Sequence, residues 1–201
     1  NPDREQFELS FSETDISSAS ELLYHILMET GRIAHDATML PHPAATALMT
    51  GMTTDTNNFA NSVYPSTFEM ASQLIEAGVD GADINHKLFG IKSLKQMQVE
   101  HAGFERMNFY DDGRIAVITF PYDLKRQYGA EDENLETLID VARCVKGVEV
   151  AAVVKQPTEE KRYRVSMRSS IDFDVSAVCG LYGGGGHVRA AGCTLNSDSI
   201  L

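Results

Sequence analysis

Four consecutive glycines, Gly183 to Gly186, run directly into His187 and on through Val188-Arg189-Ala190-Ala191-Gly192. A loop stripped of Cβ atoms can take positive φ and press its N–H groups against a ligand. Consecutive amides of that kind form a concave anion site, and a helix N-terminus behind them would strengthen it. His187 could then donate to a phosphate or stabilise charge developing on a leaving oxygen. Arg168, before Ser169-Ser170, offers a planar guanidinium suited to bidentate phosphate contact; a solvated arginine at a strand end is the plainer alternative. Asp55 stands among Thr53, Thr54 and Thr56 after the small, apolar run Ala44 to Met52. At the end of a strand, such a carboxylate can ligate a divalent cation while its neighbours hold its orientation. The same residues also suit an Asx turn or a helix cap.

The segment Gly184 to Gly192 matches every fixed position of GGGHxxAAG. It resembles the signature of the C-terminal domain in the DHH phosphoesterase superfamily, which includes RecJ-like exonucleases and the nanoRNase/pAp-phosphatase branch. Gly51-Met52-Thr53-Thr54-Asp55-Thr56-Asn57-Asn58-Phe59 resembles the G-x-x-x-D-T-x-x-F motif that closes the catalytic half of that superfamily. Ser17 to Tyr24 is similar to the serine-rich helix start that follows the Asp-His-His triplet in relatives. The triplet itself and any His-His dipeptide do not occur in these 201 residues, and no D-x-D pair stands upstream of Asp55, where relatives carry theirs. The chain is therefore read as a C-terminal fragment that keeps one metal ligand and does not assemble a two-metal centre alone.

The resemblance implies roles. Asp55 becomes a ligand to manganese (or magnesium), two ions being expected in the complete protein, where they activate water and clamp phosphoryl oxygens. Arg168 and Ser169 match the R-S element that faces substrate phosphate. Gly184, Gly185, Gly186 and His187 complete the phosphate grip, with His187 also the catalytic candidate. His25, His35, His42, His86 and His101 read as helix, turn or surface residues. Tyr182, directly before the glycines, is the best placed of the tyrosines to stack on a base, although aromatics at strand spacing are more often core.

Composition narrows the function further. A net charge of -12 excludes a sequence-blind DNA-coating protein, which needs a basic surface. Up to Glu100 the basic residues are only Arg4, Arg32, Lys87, Lys92 and Lys95. From Lys155 to Arg189, by contrast, Lys155, Lys161, Arg162, Arg164, Arg168 and Arg189 stand against Glu159, Glu160, Asp172 and Asp174. The locally basic region thus contains the glycine loop, which favours a short anionic substrate over a long polyanion. Cys144, Cys179 and Cys193 form no C-x-x-C pair, so the expectation is a reducing, cytoplasmic setting. No apolar run is long enough to span a bilayer, and no signal peptide is visible.

Several elements must hold these residues. Asn1 to Phe11 is polar and irregular. Ser18 to Glu29 has helical apolar spacing at Leu22, Leu23, Ile26 and Leu27, with Gly31 as stop. Ser66 to Ala77 reads as a helix capped by Ser66 or Thr67 and ended by Gly78. Asp83 to Phe89 and Leu94 to Glu105 are further helical pieces. Asp111-Asp112-Gly113 between two apolar segments signals a hairpin. Val148 to Lys155 and Tyr163 to Arg168 read as strands, Phe173 to Cys179 as a short helix and Cys193 to Leu195 as a strand. The fold class is α/β with two domains. The C-terminal portion of a DHH catalytic domain spans 1–93, a linker 94–103, and a smaller α/β substrate-binding domain 104–201.

The expected function is manganese-dependent hydrolysis of short oligoribonucleotides or pAp-type nucleotides. The alternatives are an exopolyphosphatase-like hydrolase or a non-catalytic nucleotide-binding module. The expected partners are short RNA or a phosphorylated nucleotide, no membrane, and a second copy of the chain as a homodimer.

Overall fold

The computed structural model describes residues 13–198 apart from Arg32 and Ala34. The polar segment Asn1 to Phe11 lies outside the described residues. The chain forms two compact units that divide between Ile91 and Lys92.

The described part of the first unit is helical. Helix α1 (Ala19–Glu29) is capped by Ser18, whose Oγ accepts the Glu21 N–H at 3.0 Å. Its buried face is Glu21, Tyr24 and Met28. Leu23, expected on that face, is half exposed. Helix α2 (His42–Asp55) begins at a proline-rich turn. Its threonines are tolerated because Thr46, Thr50 and Thr53 donate back to the carbonyls of His42, Thr46 and Met49 at 2.7 to 2.9 Å. Gly51 lets α1 cross α2 closely: a Cβ there would lie 2.1 Å from Ser20 Oγ. Helix α3 (Pro65–Glu76) starts one residue earlier than expected. Tyr64 is its cap and Pro65 opens it, while Thr67 Oγ1 accepts the Tyr64 N–H at 3.1 Å. A short helix α4 (Gly81–Asn85) runs into a π turn over His86–Gly90. Tyr24, Leu48, Met49, Met52, Met70 and Leu74 fill the core.

The second unit opens with helix α5 (Leu94–Glu105). Residues 94–103, expected as a linker, thus form most of a helix, and its Val99 and Ala102 are buried in this unit's core. Within this chain the second unit is the longer one. Strands β1 (Met107–Tyr110) and β2 (Ile115–Phe120) make the expected hairpin. Asp111, Asp112 and Gly113 all take positive φ in its turn. Helices α6 (Tyr122–Gln127) and α7 (Leu138–Arg143) precede strands β3 (Val150–Lys155) and β4 (Arg162–Ser169). Helix α8 (Val175–Gly180) leads to β5 (Gly185–His187) and β6 (Ala190–Asn196). The six strands lie in the order β1-β2-β3-β4-β6-β5. Only β2 and β3 are parallel; the other neighbours are antiparallel.

Register assigns the faces. Ala116, Ile118 and Phe120 of β2 share one face with Ala151 and Val153 of β3, and α5 and α7 bury them. The opposite face packs Val150, Met167, Ala191 and Cys193 against Val175 and Cys179 of α8.

Candidate phosphate-binding site and the Asp55 turn

The glycine run does not lead into a helix. Gly185 to His187 form edge strand β5, which turns at Val188-Arg189 and returns as β6. No helix therefore follows the glycines to add its N-terminus to the loop. Two of the glycines are required by close approach. A Cβ on Gly184 would lie 2.2 Å from the Gly192 carbonyl oxygen, and one on Gly186, at φ +148, would lie 2.5 Å from that of Ala190. Gly185 has nothing within 4 Å. The Gly184 N–H donates to the Cys179 carbonyl at 2.9 Å, so it is engaged within the fold. As an edge strand, β5 keeps one side of its backbone outside the ladder.

The register brings Arg168 and His187 into one row: His187 pairs with Ala190 of β6, and Ala190 pairs with Arg168 of β4. Directly opposed residues point to the same face, and two strand spacings separate their Cα atoms by about 10 Å. Ala190 between them is a small floor. Arg168 Nη1 touches only a neighbouring main-chain oxygen, Met167 O at 2.9 Å. Among the described residues no carboxylate lies within ion-pair distance of Arg168, Arg162 or Arg189. His187 is exposed. The loop is held from behind: Ser169 N donates to Arg189 O at 3.0 Å, Val175 N to Val188 O at 2.9 Å, and Ser176 Oγ to Gly186 O at 3.1 Å.

Ser169 belongs to the other face. It is buried, its hydroxyl donates to the Ile171 carbonyl at 2.8 Å, and it does not stand beside Arg168. The alternation of β4 accounts for this, since adjacent residues cannot both face the same side.

Asp55 ends a helix, not a strand. Its side chain is exposed. Thr56 caps the helix from a fully buried position, donating to Met52 O at 2.8 Å and accepting the Phe59 N–H at 3.0 Å. Three left-handed residues follow, Asn57, Asn58 and Phe59, at φ +48, +57 and +61. For a phenylalanine that conformation carries a cost of about 1–2 kcal/mol; stacking on Phe68, with ring centroids 5.4 Å apart, helps hold it. A carboxylate at a helix C-terminus opposes the macrodipole by about 0.3–1 kcal/mol. A divalent cation would reverse that sign. The described residues contain no group of three or more His, Cys, Asp or Glu placed to hold a metal. Asp55 fits as one ligand, and the described chain does not supply a complete set.

One functional-looking residue escaped the sequence reading. Glu21 is fully buried, and its Oε2 accepts from Ser17 N at 3.1 Å, from Ser17 Oγ, and from Thr67 Oγ1 at 2.9 Å. Its other oxygen has no hydrogen bond; His25 Nε2 lies 3.6 Å from it. Burial pushes the carboxyl up, but hydrogen bonds from Ser17, Ser66 and Thr67 outweigh it and hold the pKa below the usual value. The Ser18-x-x-Glu21 spacing of a capping box was the available signal.

Residues 112–200 match the DHHA1 domain model. The chain is 32% identical over 168 residues to the "Bifunctional oligoribonuclease and PAP phosphatase NrnA" of Mycoplasma pneumoniae, covering 79% of this chain and 47% of that protein. It is 29% identical over 153 residues to the protein of the same name from Thermus thermophilus, covering 75% and 44%. The chain thus spans about half the length of these curated relatives. A "Cyclic-di-AMP phosphodiesterase PdeA" from Listeria monocytogenes is 29% identical over 161 residues, which cover 78% of this chain and 22% of that protein. The crystal structure of an exopolyphosphatase-related protein from Bacteroides fragilis superposes with a TM-score of 0.86 at 24% identity, covering 96% of this chain and 55% of that one; this likeness shows the fold. No helix among the described residues is long and apolar enough to cross a membrane. With the GGGHxxAAG segment on a sheet of this topology, and relatives of these names along three quarters of its length, the chain belongs to the DHH phosphoesterase family and carries a DHHA1 domain in its second unit.

Proposed function

We propose that the protein hydrolyses phosphoester bonds in short oligoribonucleotides or pAp-type nucleotides, in a cytoplasmic setting and with manganese or magnesium as cofactor. One observation carries the reading: Arg168 and His187 share an open row of the sheet, with a small residue between them and no carboxylate neutralising the arginine. A guanidinium held this way suits a phosphate oxygen pair, and a charge-assisted contact of that kind contributes about 1.5–3 kcal/mol. His187 Nδ1–H or Nε2–H would donate to the same phosphate. The side of β5 outside the ladder would add a backbone donor without steric bulk. The names of the curated relatives concern nucleotidyl phosphates, which supports this substrate class.

Asp55 would contribute one oxygen ligand to a divalent ion. Such an ion, when bound, supplies a water of lowered pKa and charge neutralisation at the phosphoryl group. The described residues do not complete that site, so their own part in the reaction is to bind and orient phosphate.

The test is cleavage of a 5′-phosphorylated RNA dinucleotide, of pAp and of inorganic polyphosphate by the protein from its full reading frame, with manganese. Asp55→Ala and Arg168→Ala are run beside it. Turnover of a nucleotide substrate that disappears with Asp55→Ala is expected. Turnover of polyphosphate alone would overturn the substrate class, and undiminished activity of Asp55→Ala would overturn its role.

A further inference from the structure

Strand β4 carries more than Arg168. Residues 162, 164, 166 and 168 alternate onto the same face, so Arg162, Arg164, Ser166 and Arg168 form one column. Beside it on β6 stand Thr194, Gly192 and Ala190, opposite Arg164, Ser166 and Arg168. This makes a trough with a cationic wall and a floor of small residues. Near its middle is a cavity of ≈ 400 Å³ lined by Lys155, Arg164, Ser166, Tyr182, Gly184 and Thr194 among others. Its chemistry is composite: a guanidinium, two hydroxyls, the ring of Tyr182, which is 60% exposed, and the Glu136 carboxylate paired with Lys155.

Arg164 is nominally paired with Asp132, but the contact is 3.5 Å. Lys125 Nζ holds the same carboxylate at 2.5 Å and, by that hydrogen bond, keeps Asp132 below the ordinary carboxyl range. Lys155 is buried and occupied by Glu136 at 2.5 Å. Arg164 is thus the exposed cation whose present partner is already satisfied by another residue. Four residues of antiparallel strand place its Cα about 13 Å from that of Arg168. That distance is the reach of roughly two extended sugar–phosphate repeats in a single strand tracked along its backbone.

We propose that Arg164 and Tyr182 form a second nucleotide subsite, so that β4 holds successive phosphates at Arg168, Ser166 and Arg164. The inference rests on the reading that Arg168 holds a substrate phosphate. The ring separates a nucleotide from a bare polyphosphate, since every base has a face to stack and a phosphate chain has none. Beyond Arg164 the next cavity sets Glu131, Asp132 and Glu160 against Lys125, Arg162 and Arg164. A strand running farther meets as many carboxylates as cations, and the subsites end there. The specificity is therefore for a strand of about three phosphates.

The experiment is equilibrium binding, by fluorescence anisotropy without metal, of labelled 5′-phosphorylated oligoribonucleotides from one to six nucleotides and of polyphosphate. The full protein is compared with Arg164→Gln, Tyr182→Ala and Arg168→Gln. Circular dichroism checks that each variant folds, which their surface positions favour. Affinity is expected to rise from mononucleotide to trinucleotide and then to level off. Arg164→Gln should lower trinucleotide affinity about tenfold, bring its ratio to dinucleotide affinity close to unity, and reduce the salt slope by about one. Tyr182→Ala should weaken trinucleotide but not polyphosphate binding. An unchanged trinucleotide-to-dinucleotide ratio in Arg164→Gln overturns the subsite, and a continued rise beyond the trinucleotide overturns its length limit. If Arg168→Gln weakens every ligand in that case, the phosphate grip stands without the second subsite; if it weakens none, the grip itself has failed.

Discussion

Gly184 and Gly185 are neighbours in one motif, yet the structure gives them opposite tolerances. An alanine at 184 would place its Cβ 2.2 Å from the Gly192 carbonyl oxygen, 2.4 Å from Cys193 Cβ and 2.7 Å from Cys193 Cα. Ordinary contact begins near 3.4 Å, so the chain before β5 and β6 must separate by about 1 Å, at the upper end of the 1–3 kcal/mol typical of overpacking. Main-chain atoms cannot rotate away as a side chain would. For a unit of this size about 3 kcal/mol corresponds to a fall in melting temperature on the order of 10–20 °C. At 185 nothing lies within 4 Å and φ is not positive. There, alanine should change stability by no more than about 0.5 kcal/mol, with a small gain available from a stiffer unfolded chain. Scanning calorimetry of both variants, with dinucleotide binding measured on each, gives the comparison. The reasoning requires Gly184→Ala to lose stability and Gly185→Ala to keep it. Equal losses would mean that the glycines serve chain flexibility and not the close approach of β5 to β6.

Three other perturbations follow from the same geometry. Arg168→Ala should weaken binding of a phosphorylated dinucleotide by about 2 kcal/mol, or some thirtyfold, with melting temperature unchanged; titration calorimetry reads the affinity and scanning calorimetry the melting temperature, and an affinity within twofold of wild type would remove Arg168 from the site. Glu21→Gln should destabilise by about 2 kcal/mol near neutral pH through loss of hydrogen bonds to a charged acceptor. Because the folded carboxyl lies below its ordinary 4.5, its contribution is present above that pH and vanishes as pH falls through the folded value. The wild-type and Gln variant unfolding curves should therefore converge in acid, and curves that stay parallel down to about pH 3 would contradict the assignment. Asp55→Asn should reduce manganese affinity at least tenfold, read by titration calorimetry or by the free-manganese spin-resonance signal, because an amide oxygen lacks the charge a hard cation prefers; unchanged uptake would exclude Asp55 as a ligand.

The parts of the fold visible in the sequence were those written in short-range chemistry. The Asp111-Asp112-Gly113 turn, the stop at Gly78 and the alternation of β4 each follow from local steric rules, and each is found in place. What was hidden depended on partners distant in sequence. Leu22 and Leu23 look like the inner face of α1, but the helix is rotated so that Glu21 enters the interior, which Thr67, 46 residues away, makes possible. The run Ala44 to Met52, apolar and rich in small residues, suits a buried helix or a strand before Asp55, and the structure forms the helix. Four threonines satisfy their hydroxyls on carbonyls one turn back, so the helix tolerates residues that do not favour it. Leu94 to Glu105 reads as a helix and is one, but its place in the second unit's core, not in a linker, depends on Val99, Ala102 and Gly103, where a Cβ would lie 2.4 Å from the Leu138 side chain.

The site itself was legible as a set of residues and illegible as a surface. The motif names Gly184 to His187 and Arg168, but only the strand order β4-β6-β5 puts His187 and Arg168 in one row and turns Ser169 away. The decisive change occurs across a single sheet face. Over β2 and β3 that face is Ala116, Ile118, Phe120, Ala151 and Val153, and helices bury it. At β4 it becomes Arg164, Ser166 and Arg168, and on β6 it becomes Ala190, Gly192 and Thr194. A helix packed there would strand two guanidiniums away from water, at a cost that ordinary apolar contacts do not offset. The same residue choice that keeps this half of the sheet uncovered leaves its charges available. An anion is the one ligand class that satisfies those guanidiniums while tolerating a floor too small to bury an apolar group. On this argument the open half-face is maintained by the composition of β4 and β6 together. Enlarging the floor with Ala190→Leu should therefore block phosphate binding as effectively as removing Arg168, while leaving the sheet intact, because position 190 lies between the two grips and faces outward.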